Sequence, residues 1–376
     1  GVPDETDQGG IGQTDTAVEP TDTEPPTSDT GLPDDTTDTT FDTGTGQDTG
    51  TDTTPPATFR NPLNTIRGSD PFTRYYNGYY YLTATTWTNQ LTMKRATTLE
   101  GLKSAQEQVI REETDTTTDH CCNMWAPEFF LLDGPHGPRW YYYYTAGRSG
   151  DDFGYQRMYV LESIGTDPMG PYTFVGQIYD VAGWWAIDGS VLEHGGSRYF
   201  LFSRWQGENQ CLWIAPMDNP WTIGGSAQVI SCPEYDWERH DSNVNEGPEA
   251  LQRNGRTFIV YSASGCMGYE YKLGLLELTA GGDPMDPADW VKAPEPVFSW
   301  RESGQQGVYG PGHNGIFKSP DNTEWWHVYH ANTGPDDGCY IWRTTRAQKI
   351  NWTADGTPDF GVPAFLDEDL VVPSGE

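Results

Sequence analysis

Three carboxylates in this chain stand beside glycine or proline residues that restrict the backbone around them. Asp70 lies in the stretch GSDPF, Asp188 in AIDGSV and Glu246 in NEGPEA. Glycine and proline favour turns and strand edges over helix interiors, so each acid would sit on a rigid, non-helical piece of backbone. One such acid is most often a turn residue. Three in similar settings predict a shared site at which they are aimed.

Carboxylates that share a pocket are suited to the hydrolysis of a glycosidic bond. One carboxyl donates a proton to the leaving oxygen, and the other activates a water molecule or attacks the sugar directly. The acid must stay protonated at working pH, and a nearby like charge raises its pKa for that purpose. A third carboxylate would therefore have a role beside the two reacting groups.

The elements that would position these acids recur five times along the chain. Each begins with a turn and continues as an aromatic-rich alternating run, as in NGYYYLTAT (77–85) and NTEWWHVYHAN (322–332). Such runs indicate strands. Equivalent positions in the five runs are separated by 62, 58, 59 and 68 residues, and these positions are Thr83, Thr145, Ser203, Ser262 and His330.

Five all-β units of about 60 residues predict a five-bladed β-propeller, with one unit per blade. A β-sandwich is the alternative, but it would not ordinarily recur five times at this interval. In a propeller the first strand of each blade lines the central channel. The residues ahead of each repeated run would then point toward one axis, and they include Asp70, Trp125, Glu128, Asp188, Glu246 and His313.

The first 57 residues have a different composition and are predicted to be a disordered acidic spacer ahead of a catalytic domain at 58–376. From Gly1 to Pro55 there are 14 acidic residues and no Lys or Arg, in a Thr/Asp/Gly/Pro mixture. This segment has too little apolar surface to offset the entropy of ordering. A calcium-binding Asp-rich repeat is the alternative, but the asparagine and glycine spacing of such loops is missing.

The overall charge and hydropathy limit the kinds of partner that the chain can have. A formal net charge of −33 argues against nucleic acid, whose phosphates would be repelled. No apolar run approaches the length of a bilayer-spanning helix. The start at Gly1 and the acidic, Thr-rich spacer favour an exported protein that is secreted or tethered to a cell surface.

Six cysteines suit an oxidising compartment, but they allow 15 pairings and the sequence does not choose among them. Cys121 and Cys122 are adjacent, so a vicinal disulfide and two free thiols are both open. The spacing of the six matches no zinc-binding pattern.

From residue 61 to about residue 363 the chain resembles glycoside hydrolase family 43, and most closely its exo-acting α-1,5-L-arabinofuranosidases. The resemblance rests on six motifs in family order: NPL with GSDPF, WAPEFF, WAIDGSVL, VNEGPEAL, GVYGPGHNGIF and DGTPDFGVP. Members of this family are five-bladed β-propellers that hydrolyse arabinose and xylose linkages with inversion. The resemblance therefore implies an inverting enzyme that releases terminal L-arabinose from arabinan or arabino-oligosaccharides.

Matched to the family, Asp70 would be the general base, Glu246 the general acid, and Asp188 the residue that raises the pKa of Glu246 and orients it. Inversion requires the base and acid to stand roughly 6.5–9.5 Å apart so that water fits between them. Glu249, three residues after Glu246, is expected to be displaced from the channel.

The resemblance also implies residues that bind substrate or an ion. Arg343 would hold sugar hydroxyls and a carboxylate, with Arg346 as the alternative. His313 would line the channel and, in several family members, coordinates calcium or sodium partly through water; otherwise it is simply hydrogen-bonded. No cofactor is required for the chemistry.

Flat aromatic faces suit the apolar face of a sugar ring, and Trp125 is the predicted stacking platform. Trp87 and Trp205 follow repeated runs and are predicted either to line the pocket rim or to pack between blades.

Several alternatives remain open from the sequence. A β-xylosidase or an endo-α-1,5-arabinanase would use the same fold, and fructan-cleaving propellers retain configuration instead. A non-catalytic carbohydrate-binding propeller belongs to another class, although all three acids are present here. The expected partner is arabinan or another arabinose-containing plant cell-wall polysaccharide, and the expected state is a monomer.

Overall fold

The computed structural model describes residues 55–151, 153–178 and 185–376. The predicted disordered segment at 1–57 lies outside these ranges except for its last three residues. The described chain is built almost entirely of strands and turns, with one short helix, α1 (Leu99–Leu102), and two 3-10 turns at Asp236–Glu238 and Pro287–Asp289. Among the described residues, no helix has the length and apolar character needed to cross a bilayer.

The strands form five antiparallel sheets, one per blade. The first blade contains β2 (Phe72–Tyr76), β3 (Tyr79–Thr83), β4 (Gln90–Ala96) and β5 (Gln108–Glu112). The second contains β6 (Cys122–Gly134), β7 (Gly137–Gly147), β8 (Arg157–Ser163) and β9 (Tyr172–Gln177). The third contains β10 (Ile187–His194), β11 (Ser197–Gln206), β12 (Asn209–Asn219), β13 (Thr222–Ile223) and β14 (Gln228–Ser231).

The fourth blade contains β15 (Asn245–Arg253), β16 (Arg256–Ala263), β17 (Lys272–Leu278) and β18 (Trp290–Lys292). The fifth contains β19 (Arg301–Ser303), β20 (Gln306–Lys318), β21 (Trp325–Asn332), β22 (Thr344–Trp352) and β23 (Pro358–Asp359). A separate pair, β1 (Thr58–Phe59) with β24 (Leu370–Val371), joins the two ends of the described chain.

The predicted turns fix how each blade begins. Asn77–Gly78 connects β2 to β3, and Asn254–Gly255 connects β15 to β16; all four of these residues have positive φ angles, between 47° and 85°. Two consecutive left-handed residues match the type I′ hairpin turn, whose twist suits paired strands. The Asn-Gly pairs in the sequence therefore specify tight hairpins at these positions.

The inner strands β2, β6, β10, β15 and β20 contact one another in chain order, and β20 contacts β2, which closes the ring. Five clusters of buried hydrophobic side chains fill the spaces between neighbouring blades. The run WYYYY in β7 shows why the strands are so aromatic: Tyr142 and Tyr144 pack toward the first blade, while Tyr141 and Tyr143 pack toward the third. A middle strand is thus buried on both faces, and the predicted five-bladed propeller is confirmed.

The six cysteines form three disulfides, Cys121–Cys122, Cys211–Cys232 and Cys266–Cys339. The vicinal pair that the sequence left open is therefore oxidised.

Candidate active site

A pocket of about 270 Å³ lies where the inner strands begin, and the three predicted acids line it together. Asp70, Asp188 and Glu246 reach it from the first, third and fourth blades, and His313 and Arg343 reach it from the fifth. A larger depression, about 460 Å³, lies among later residues of the same strands and contains none of the three acids. The convergence expected from the repeat is therefore present in the fold.

A β-bulge near the start of the inner strand aims these side chains. From Glu246 to Glu249 the pairing advances three residues on β15 but only two on β16, from Ser262 to Val260. The same extra residue occurs in β6, β10 and β20. Such bulges bend a strand and re-aim a side chain, often next to an active site.

Each bulge contains a residue in the left-handed backbone conformation, which most non-glycine residues avoid. Its φ angle is 42° at Ala126, 61° at Asp188, 57° at Gly247 and 44° at His313, and Asp70, just before β2, has 50°. Asp70, Asp188 and His313 thus occupy the left-handed position itself. Glu246 stands one residue before it and reaches the pocket with a longer side chain.

Asp70 is surrounded by groups that favour its charged form. The Thr85 hydroxyl donates to Oδ2 at 2.5 Å, while His313 Nδ1 and Arg343 Nη1 lie 3.2 and 3.7 Å from Oδ1. Burial alone would raise the pKa of Asp70, but the charges of His313 and Arg343 outweigh burial and hold that pKa well below its usual value. An ionised Asp70 can accept a proton.

His330 positions Asp70 through the backbone. The Asp70 N–H donates to His330 Nδ1 at 3.1 Å, so this nitrogen has no proton of its own to offer the carboxylate 3.4 Å away. Burial lowers the pKa of His330 to about 3, which keeps the ring neutral. We therefore assign His330 an orienting contact rather than a charge.

Asp188 and Glu246 favour the protonated form instead. Burial, followed by repulsion from Glu246 and Asp70, raises the pKa of Asp188 well above its usual value. Burial also raises the pKa of Glu246, with a further contribution from Asp70. Asp188 Oδ2 accepts a hydrogen bond from the Gly247 N–H at 3.0 Å, which ties Asp188 to the backbone beside Glu246.

Two neighbours of Glu246 are not predicted from the sequence. Tyr271 Oη donates to Glu246 Oε1 at 2.8 Å, and Gln210 Nε2 donates to Oε2 at 2.9 Å. Gln210 lies on β12 and Tyr271 just before β17, so neither belongs to an inner strand or to a motif that the repeat singled out. No sequence signal points to them, because Gln210 reaches Glu246 from the neighbouring blade and Tyr271 reaches it from the loop between β16 and β17 of the same blade.

Comparison with known proteins identifies the family. The model of glycosyl hydrolases family 43 matches residues 59–358. The chain belongs to this family. Family 43 hydrolases require no cofactor for their chemistry.

Alignments with two relatives extend over most of this family 43 chain. It is 38% identical over 323 residues to an extracellular exo-α-(1→5)-L-arabinofuranosidase of Streptomyces avermitilis, an alignment that covers 82% of this chain and 64% of the relative. The chain thus spans about two thirds of that relative's length. A protein of the same name from Streptomyces chartreusis is 38% identical over 281 residues, covering 73% of this chain and 83% of the relative.

A solved structure agrees with the fold. The crystal structure of an α-L-arabinofuranosidase from Lactobacillus brevis superimposes with a TM-score of 0.75 at 34% identity, covering 82% of this chain and 98% of that one.

The position of Glu249 corrects one sequence expectation, since it is not displaced from the channel. Its side chain is 2% exposed and accepts hydrogen bonds from Ser190 Oγ at 2.9 Å and from the Ile316 N–H at 3.3 Å. Side chains alternate across a regular strand, so residues three apart would face opposite sides. The bulge after Glu246 adds one residue and restores the inward direction at Glu249.

Glu249 belongs to a second polar layer along the axis, which we define as Arg74, Glu128, Ser190, Glu249 and the backbone of Ile316. Each of the five inner strands contributes one member. Arg74 Nη2 lies 3.5 Å from Glu249 Oε1, and Arg74 Nη1 donates to the Ile316 carbonyl. This family 43 chain therefore carries two layers of acids along the axis.

Aromatic side chains form one wall of the pocket. Trp87 and Trp125 both line it with ring centroids 5.2 Å apart, and Phe153 lies 5.0 Å from Trp125. The indole nitrogens of both tryptophans are buried without a hydrogen-bond partner among the described residues, so a ligand could supply one. Trp205 does not line the pocket; its ring lies 6.1 Å from that of Trp185, which does.

Of the two candidate arginines, Arg343 reaches the pocket and Arg346 does not. Arg343 is 3% exposed, and its Nη2 donates to the Cys266 carbonyl at 3.1 Å. Arg346 is fully buried in the fifth blade, where its Nε donates to Thr344 at 3.0 Å.

The predicted ion site at His313 can be compared with the donor groups around it. One ligand atom each from Asp188, Glu246 and His313 lie within 4.8 Å of one another. Both oxygens of Glu246 already accept hydrogen bonds, as does Asp188 Oδ2. His313 Nδ1 in turn lies 3.2 Å from Asp70 Oδ1.

Proposed function

We propose that this chain is an inverting exo-α-1,5-L-arabinofuranosidase that releases terminal L-arabinose from arabinan or arabino-oligosaccharides. The observation that carries the proposal is the convergence of Asp70, Asp188 and Glu246 on one pocket, in which the pKa of Asp70 is shifted downward and that of Glu246 upward. A base must be ionised and an acid protonated at the same pH. The names of the Streptomyces and Lactobacillus brevis relatives support the choice of sugar.

In this mechanism Asp70 accepts a proton from a water molecule that attacks the anomeric carbon. Glu246 donates its proton to the departing glycosidic oxygen on the opposite face of the sugar, and the configuration inverts. As the proton leaves, Tyr271 and Gln210 donate to the carboxylate that forms, and they hold it in place. Asp188 and Glu246 are adjacent buried carboxyls that resist joint ionisation, so the presence of Asp188 keeps a proton on this pair before reaction.

Arg343 and the aromatic wall would bind the sugar. The Arg343 guanidinium points toward Asp70 and offers donors to hydroxyl groups, while Trp125 and Trp87 offer flat apolar faces. A pocket of about 270 Å³ suits one terminal sugar better than an internal stretch of polymer.

Product analysis on linear arabinan tests the proposal. An exo enzyme yields arabinose as the only early product, whereas an endo-arabinanase yields oligosaccharides. Preferential cleavage of an aryl xyloside over an aryl arabinofuranoside would favour a β-xylosidase. Binding of arabinan without hydrolysis would indicate the non-catalytic class. A retained anomeric configuration in the first product would contradict the inverting mechanism.

The assignment of acid and base has its own test. Asp70→Ala and Glu246→Ala should each abolish hydrolysis of arabino-oligosaccharides while the circular dichroism spectrum stays that of the wild type. Near wild-type rates in either variant would overturn the corresponding role.

An ion at His313 forms part of the proposal. His313 would hold calcium or sodium through a ring nitrogen and water, and the ion's charge would stabilise the channel without taking part in proton transfer. Removal of the ion, by a chelator for calcium or by exchange into sodium-free buffer for sodium, should then lower the melting temperature of the wild type but not of His313→Ala. Equal melting shifts in the two proteins would count against an ion at this residue.

We further propose that the protein acts outside the cell, secreted or tethered to the surface, on plant cell-wall polysaccharide and as a monomer. The Streptomyces relatives are named extracellular, and the three disulfides suit an oxidising compartment. Fractionation of the producing cells and light scattering of the purified protein test these points.

A further inference from the structure

The Cys266–Cys339 disulfide stands in the wall of the catalytic pocket and joins two blades. Cys266 lies in loop 264–271 between β16 and β17 of the fourth blade, and Cys339 in loop 333–343 between β21 and β22 of the fifth. Both cysteines line the pocket that holds Asp70 and Glu246. The crosslink spans 73 residues of sequence.

Besides the disulfide, the two loops meet mainly at Arg343, whose guanidinium carbon lies 5.6 Å from the centroid of the Tyr271 ring. Met267 is 52% exposed and Tyr340 is 50% exposed, so little apolar surface is buried where the loops meet. Among the described residues, one hydrogen bond joins the loops, and it runs from Arg343 Nη2 to the Cys266 carbonyl at 3.1 Å. Exposed loops with few buried contacts open more readily than the sheets that carry them.

Arg343 connects this crosslink to the catalytic base. Its Nη1 lies 3.7 Å from Asp70 Oδ1, while its Nη2 donates to the carbonyl of a disulfide-bonded residue. The guanidinium is planar and its donors are fixed relative to one another, so the position of one contact constrains the other. A movement of Cys266 would therefore move the cation that faces Asp70.

We propose that the Cys266–Cys339 disulfide is a positioning element for catalysis, which holds the Cys266 carbonyl where it fixes Arg343 against Asp70. The inference rests on the proposed function, because it gives Asp70 the role of base. The disulfide acts through Arg343 and does not touch the substrate's reacting atoms. Its loss should lower kcat more than it raises KM, since a base misplaced by about 1 Å can slow a reaction up to 100-fold.

A double-mutant cycle tests the route through Arg343. The double variant Cys266→Ser/Cys339→Ser is made in the wild-type background and again in the Arg343→Ala background, and each is compared with its parent. Activity on an activated aryl arabinofuranoside is measured at a temperature well below the melting temperature of each protein. We expect kcat to fall about 10-fold in the first background and less than about 2-fold in the second, because neighbours that act together are not additive. Cys121→Ser/Cys122→Ser, which removes a disulfide in another blade, should stay within about 2-fold of wild type.

Two outcomes of the cycle overturn the inference. An equal fold-loss in both backgrounds would mean that the disulfide acts through general stability, and no loss in the wild-type background would mean that it does not position the base. A wild-type protein with no arabinofuranosidase activity would instead overturn the proposed function, so the two failures are distinguishable.

If the serine variant does not fold, the folded wild-type enzyme gives the answer. It is treated with a phosphine reductant, alkylated at intervals and mapped by mass spectrometry while activity is followed. The inference predicts that activity falls in step with labelling of Cys266 and Cys339. Loss that instead follows labelling of Cys121 or Cys211, or full activity after complete labelling of Cys266 and Cys339, would contradict it.

Discussion

At the scale of single residues, Asp70 and Glu246 carry the same functional group in opposite environments. His313 and Arg343 lie against Asp70 and outweigh the effect of burial on its pKa. At Glu246 burial is the largest effect, and it outweighs the lowering of the pKa by the same two residues and by the Tyr271 hydrogen bond. The chemistry of either residue depends more on those neighbours than on its own identity.

Tyr271 should matter for catalysis although it bears no charge. Tyr271→Phe removes one of the two donors to Glu246, so the carboxylate formed during proton transfer loses a hydrogen bond. A hydrogen bond to a charged group contributes enough that kcat should fall about 10-fold. Steady-state kinetics with arabino-oligosaccharides measure the effect.

Tyr143→Phe is the matched control, because Tyr143 Oη donates to the Pro220 carbonyl between blades, away from the pocket. It should lower stability and leave kcat unchanged. Equal kcat values for Tyr271→Phe and the wild type would contradict the role given to Tyr271.

The sequence predicted the three acids because each stands in a motif next to glycine or proline. It could not predict Gln210 and Tyr271, since they reach Glu246 from β12 and from the loop before β17, and such contacts leave no local pattern. The Cys266–Cys339 pair is out of reach for the same reason: its members are 73 residues apart, and nothing local selects them. Which residues of neighbouring blades come into contact is set by how the five blades close into a ring, not by local sequence.

At the scale of elements, the bulged inner strand is the device that presents the site. The repeat found in the sequence has a structural counterpart here, because Thr145, Ser203, Ser262 and His330 each pair with the residue just before a left-handed position. Thr83 differs and pairs with Phe72, two residues after Asp70. A bulge leaves no period-2 signature, so strict alternation wrongly turned Glu249 away from the channel.

Gly247 is where the bulge depends most on glycine. Gly247→Ala would place a methyl group in a left-handed residue at 57° and about 3.2 Å from His313 Nδ1, which itself contacts Asp70. We expect a loss of about 1–2 kcal/mol in the free energy of unfolding. We also expect kcat to fall about 10-fold, because small displacements of a base are costly.

Gly255→Ala separates these two effects. Gly255 has a φ of 78° in the turn after β15, and a Cβ there meets no atom within 4 Å. This variant should lose similar stability in urea titrations and keep the wild-type kcat. If Gly247→Ala is as active as Gly255→Ala, the bulge does not position the catalytic groups.

At the scale of the whole molecule, the axis carries a polar layer that the blade interfaces do not. Arg74 is the cation of the second layer and faces two acids, Glu128 and Glu249. Burial and the charge of Glu249 raise the pKa of Glu128 well above its usual value, and Asp188 adds to the effect. One Glu128 oxygen is buried without a hydrogen-bond partner among the described residues.

The stability of the propeller should therefore depend on pH through Glu128. A carboxyl whose pKa is higher in the folded state than in the unfolded state contributes to the free energy of unfolding. This contribution is fully present below the unfolded pKa of the carboxyl, about 4.3. That contribution is lost as pH rises through the folded value. Glu128→Gln keeps the shape without the charge, so it should gain stability relative to the wild type as pH rises.

Denaturant unfolding between acid and mildly alkaline pH measures this difference. Glu208→Gln, at an exposed position of the third blade, serves as the control and should follow the wild type throughout. A wild type that gains stability over Glu128→Gln with rising pH would contradict the direction assigned to the Glu128 pKa.

The central claim is that Asp70 and Glu246 face each other as base and acid across one sugar. The most direct measurement compares Asp70→Ala and Glu246→Ala on arabinofuranosides with poor and with activated aryl leaving groups. A leaving group that needs no proton should restore much of the rate to Glu246→Ala and little to Asp70→Ala, because only the former lacks the proton donor. Equal restoration in both variants, or restoration in Asp70→Ala alone, would contradict the assignment.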